Sequence, residues 1–119
     1  VASSLERSLV GELRRLALEG ARFQVRFAEG EARPLGATGW DDVEFWLAAN
    51  PGEDFLPLAR VASGGELSRI MLALKTLTAA EDRGATLIFD EVDSGVGGGV
   101  AEVIGRKLRQ LGRRRQVLP

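Results

Sequence analysis

The chain has 119 residues, 45 % hydrophobic and 28 % charged, with a net charge of −1. That is the make-up of one ordinary globular domain, or of one lobe of a larger one, and it lacks the basic excess of a general nucleic-acid-binding module. Cysteine and histidine are both absent, which excludes disulfides, thiolate or imidazole zinc sites and any mechanism built on a histidine base; no apolar run approaches the roughly 18 residues of a membrane span.

Ser3 to Glu19 reads as an amphipathic helix, with Leu5, Leu9, Leu13 and Leu16 recurring at three- and four-residue intervals among charged residues. Gly20 is the expected stop. The stripe suits a helix lying on a core or the end of a longer coiled coil, and it is too short to show sustained heptads. Ala21 to Ala28 then alternates, Phe23, Val25 and Phe27 against Arg22, Gln24 and Arg26, as a half-buried strand does. After a polar connection over Glu29–Gly39, Asp42 to Ala48 reads as a second strand, able to pair antiparallel with the first. Asn50-Pro51-Gly52 marks a turn.

Gly64 to Ala80 is expected to be helical, with Leu67, Ile70, Met71, Leu74 and Leu77 on one stripe and Leu72 opposite it. Ala85 to Phe89 is a mostly apolar run without alternation, the pattern of a strand buried on both faces. Gly98 to Leu111 is a further helix and Gln116 to Leu118 the start of a further strand. Strand, helix and strand at this spacing form a βαβ unit with a parallel pair. The fold class is therefore α/β, parallel strands flanked by helices and preceded by a helix and antiparallel strands.

Two constellations carry chemistry. Ser63-Gly64-Gly65-Glu66-Leu67-Ser68-Arg69 puts two glycines at a helix start, where free N–H groups and the helix dipole favour an anion. Ser63 adds a hydroxyl donor. Ser63 and Glu66 also have the spacing of a capping box, which needs no ligand, and the two roles are compatible. The second is Thr86-Leu87-Ile88-Phe89-Asp90-Glu91, an apolar strand running into two acids. A carboxylate at the C-terminal end of a parallel strand lies where such sheets bind ligands. Asp90 is placed to hold Mg²⁺, directly or through water, and Glu91 to polarise an attacking water. Taken singly, either could be a capped helix start or a solvated acidic turn.

Together they resemble a known family. SGGELSR is similar to the signature motif of ABC ATPases, and LIFDE to their Walker B strand. More narrowly, Asn50–Glu53, Val61–Lys75 and Phe89–Gly98 resemble the RecN group of bacterial SMC-like DNA repair ATPases. The match covers roughly residues 40 to 118. The resemblance implies the C-terminal lobe of an ABC/SMC-type P-loop NTPase head. Residues 1–20 would be the end of a coiled-coil helix returning to the head, and residues 21–119 the lobe itself. It implies that Ser63, Gly64 and Gly65, braced by Glu66, contact the γ-phosphate of ATP held by an opposite head. Asp90 would support Mg²⁺ and Glu91 would orient the water. Asp93, Ser94, Gly95 and Gly97 fall in the D-loop; most of the wider family has aspartate where Gly97 stands. The alternatives within the wider family are another SMC/Rad50-type head or a transporter subunit, and transporters more often place Leu where Ala62 stands.

The Walker A loop G-x-x-x-x-G-K-[ST] is absent, because neither Lys75 nor Lys107 follows a glycine. The switch histidine expected after the last strand is also missing. By this reading the chain is a fragment, inactive alone. It would work with an N-terminal Walker A lobe of the same protein, a second head in an ATP-dependent homodimer, and DNA, in the bacterial cytoplasm at the nucleoid. The alternative is a non-catalytic dimerisation or DNA-contact module. Arg106, Lys107, Arg109, Arg113, Arg114 and Arg115 form a basic run, read either as a solvated helix face that compensates the dipole or as a DNA contact.

Overall fold

A computed structural model describes residues 1–28, 34–37, 39–61, 63–80 and 84–119. Part of the Glu29–Gly39 connection, and Ala62, lie outside them.

Helix α1 (Ala2–Arg15) buries its leucine stripe: Leu9, Leu13 and Leu16 have no exposed surface. Burying each such side chain is worth about 1.5–3 kcal/mol. The helix ends before Gly20. Ala17 takes a left-handed φ of 63°, and the Leu18 N–H reaches back to the Leu13 carbonyl at 3.0 Å. This reversal carries Leu18 into the core, which a helix continuing to Glu19 would not do. Gly20 serves a different purpose from the expected stop, since a Cβ there would overlap the Pro51 ring. The glycine lets the Asn50–Gly52 turn close over the helix end.

Strands β1 (Arg22–Phe27) and β2 (Val43–Ala48) pair antiparallel as expected, with Phe23 opposite Leu47, Val25 opposite Phe45 and Phe27 opposite Val43. Phe23 and Phe45 also meet ring to ring, 5.4 Å between centroids. On the other face Arg26 stacks over Trp46 at 4.0 Å and Arg22 over Phe55 at 4.8 Å, contacts a guanidinium favours over aromatic faces. A short β3 (Leu56–Pro57) continues the sheet beyond β2. Its two residues carry no alternation long enough to read in advance.

Helix α2 (Gly64–Leu77) stops at Thr78, short of Ala80. Its buried face runs through Gly65, Arg69, Ile70, Leu72 and Ala73, while Leu77 is exposed. Leu72, which falls opposite the expected stripe, has no exposed surface: α2 lies between α1 and α3 and is covered on more than one side. Then comes the βαβ unit. β4 (Leu87–Ile88) pairs in parallel with β5 (Val117–Leu118) across α3 (Gly98–Gly112). β4 departs from the continuous burial expected of it. Leu87 and Phe89 face the core, whereas Ile88 is 73 % exposed. Within this chain the parallel sheet has two strands, and nothing among the described residues covers its far face.

A single apolar cluster joins the α1 leucines, Phe23, Leu47, Ile70, Leu72, Leu87, Phe89, Ile104 and Leu111. Two members of the basic run turn inward to brace it. Lys107 is buried and paired with Glu12 of α1, and Arg115 donates to the Ala79 carbonyl at 2.8 Å. Only Arg106, Arg109, Arg113 and Arg114 remain at the surface.

Candidate functional site at the start of α2 and the end of β4

Ser63 caps α2 with extended backbone, and its Oγ accepts the Glu66 N–H at 3.3 Å. That satisfies one of the helix's open donors. Among the described residues no return bond runs from the Ser63 N–H to the Glu66 carboxylate, so half of the capping box is formed. Accepting a bond leaves the Ser63 O–H free to donate outward. Ser63 is exposed, and together with Glu66 it borders a cleft of about 510 Å³ that also includes Asn50, Asp54 and Arg60. The cap therefore leaves the Ser63 hydroxyl able to donate into that cleft.

Asp90 follows Phe89 directly at the C-terminal end of β4, with its side chain in solvent. Glu91 leaves the strand at a left-handed φ of 54°. A residue with a Cβ adopts that region only when its surroundings hold it there. The Ser94 N–H closes the turn onto the Glu91 carbonyl at 3.0 Å. Val92 points into the core as an anchor, while Asp93, Ser94 and Gly95 stay exposed. Gly95, at φ 71°, swings the chain toward Gly97, which starts α3.

The two constellations lie 27 positions apart in sequence and touch in space. A Cβ at Gly64 would overlap the Glu91 Oε2, and one at Gly65 would come within 3.2 Å of the Glu91 carbonyl and of Ser94 Cβ. These glycines let the helix start meet the acidic turn. Two side chains of the same motif complete the joint: Ser68 Oγ donates to the Asp90 carbonyl, and Arg69 Nη1 donates to the Ser94 carbonyl at 2.8 Å. Sequence reasoning assigned neither a role. The signal was their position one turn into the helix, on the face that Gly65 opens.

Among the described residues no group of three or more acidic or other ligating side chains could cage a metal ion. What the residues offer is a single exposed carboxylate, Asp90, beside that of Glu91. That matches Mg²⁺, which keeps its waters and takes one or two carboxylates plus substrate phosphates. Among the described residues no helix is long and apolar enough to cross a membrane.

No protein-family model matches the chain. It is 50 % identical over 121 residues to the DNA repair protein RecN of Halalkalibacterium halodurans, covering 99 % of this chain and 21 % of that protein. It is 43 % identical over 122 residues to RecN of Treponema pallidum, with the same coverage, and 52 % identical over 94 residues to RecN of Mycobacterium leprae. The chain thus spans about one fifth of the length of the curated relatives it matches. A solved SmcHead bound to the C-winged helix domain of ScpA aligns at 14 % identity and a TM-score of 0.49, over 98 % of this chain and 33 % of that one.

Proposed function

We propose that this chain, which resembles RecN along almost its whole length, is the C-terminal lobe of an SMC-like ATPase head acting in DNA double-strand break repair. The observation that carries the reading is the joint between a glycine-opened helix start and an Asp-Glu pair at the end of a parallel strand. In this account Ser63, Gly64 and Gly65 offer donors to the γ-phosphate of ATP bound on a second head. N–H groups and a hydroxyl there would stabilise charge without rearranging. Asp90 supports Mg²⁺, whose part is to neutralise phosphate charge. Glu91 takes or orients the proton of the attacking water. The D-loop residues Asp93, Ser94, Gly95 and Gly97 lie along the contact with the opposite head.

The chain holds no phosphate-binding loop. By this reading it hydrolyses nothing alone and works with a Walker A lobe elsewhere in the same protein, in a homodimer of heads at the bacterial nucleoid. Helix α1 would be the root of the coiled coil. The exposed Ile88 and Leu118 suit a face on which the Walker A lobe's sheet continues. The same exposed face favours a second reading, in which the chain is only a dimerisation or DNA-contact module and its carboxylates are structural.

Glu91→Gln in the full-length protein separates the two. The enzymatic reading predicts ATP turnover lowered by about 10²–10⁴-fold, the usual contribution of a positioned general base, with nucleotide binding retained. Unchanged turnover leaves the binding-module reading standing.

A further inference from the structure

Arg69 is 7 % exposed, and its only hydrogen bond among the described residues runs from Nη1 to the Ser94 carbonyl. Its Nε has no acceptor among those residues. A guanidinium buried with a donor unmet costs stability, and an apolar side chain of similar length would serve packing as well or better. Packing alone therefore gives no reason for an arginine here. The carbonyl it holds does give one. Ser94 closes the exposed turn that begins at Glu91, where the backbone is already forced left-handed.

Apart from Arg69, the turn is tied down by Val92 in the core and by Ser68 on the Asp90 carbonyl. Both grip its first half. Gly65 makes the room: a Cβ there would lie 3.2 Å from Arg69 Nη1 as well as from the turn.

We propose that Arg69 is a positioning residue for catalysis, fixing the second half of the Glu91–Ser94 turn to the helix whose first residues meet the phosphate. This rests on the ATPase reading and deepens it. The helix start and the general base become one rigid unit. The planar fork of arginine suits the task, since it gives a directed N–H from a fixed plane. Lysine can reach the same carbonyl with less directional control.

The test uses the full-length protein with Arg69→Met and Arg69→Lys. Arg69→Met is expected to lower kcat by about tenfold to a hundredfold, the scale of a misplacement near 1 Å. KM for ATP should stay within about twofold and the melting temperature unchanged. Arg69→Lys should recover most of the loss. Amide exchange gives a readout independent of turnover. The Ser94 N–H should exchange about tenfold faster in Arg69→Met, while Leu87 and Phe89 in β4 keep their protection. Unaltered kcat and unaltered Ser94 exchange would overturn the proposal, and so would a kcat loss matched by a general loss of protection and melting temperature. A wild-type protein without ATP turnover would instead overturn the ATPase reading, and the exchange result would still decide whether Arg69 holds the turn.

Discussion

Glu91 combines a left-handed backbone with a carboxylate pressed toward Gly64. Left-handed φ costs a residue with a Cβ about 1–2 kcal/mol. Glycine there would relieve that strain and lose some of the gain to its freer unfolded state. Glu91→Gly is therefore expected to raise stability by about 0.5–1 kcal/mol in urea unfolding while abolishing turnover. A destabilised variant would mean the left-handed backbone at Glu91 stores no strain. At this scale the sequence was legible where motif and chemistry coincide: Ser63, the two glycines, Asp90 and Glu91 all lie at the joint. The left-handed backbone was not legible, because glutamate gives no sign of it. The Arg69 link was hidden because it depends on how α2 is rotated about its axis, and Leu72 was the only hint of that rotation.

At the scale of elements, existence and type could be read and ends could not. The antiparallel β1–β2 pair and the βαβ unit follow from period and spacing. The end of α1 does not, because burying Leu18 outweighs helix continuation and no glycine marks the reversal. Ala17 occupies the position where helices usually place glycine. Ala17→Gly should stabilise the protein by about 0.5–1 kcal/mol, and a lowered urea midpoint would show that the reversal is not strained. The basic run divides for a similar reason. Lys107 and Arg115 fall on the inner face of their segment and spend their charge on Glu12 and on a carbonyl. Composition cannot distinguish such residues from solvated ones.

For the whole molecule, the exposed Ile88 and Leu118 leave one face of the two-stranded parallel sheet uncovered among the described residues, the face on which the proposed reading places a further lobe. The burial on both faces expected of Ala85–Phe89 is met on one: Leu87 and Phe89 are covered and Ile88 is not. The missing Walker A loop was legible because a motif's absence is as visible as its presence. The contact between the helix start and Glu91 within one chain could not be read, since it requires the fold. On the proposed reading, one chain would carry the base for its own nucleotide and the phosphate cap for another, on two segments that touch.

Mixing two inactive full-length variants tests that claim most directly. Ser63→Arg blocks the phosphate cap and keeps Glu91, whereas Glu91→Gln keeps the cap and loses the base. In a two-fold dimer with the cap acting across the interface, each mixed pair regains one intact site. An equimolar mixture should then recover about a quarter of wild-type ATP turnover. A mixture as inactive as its components would contradict the account, because cap and base would then serve the same nucleotide.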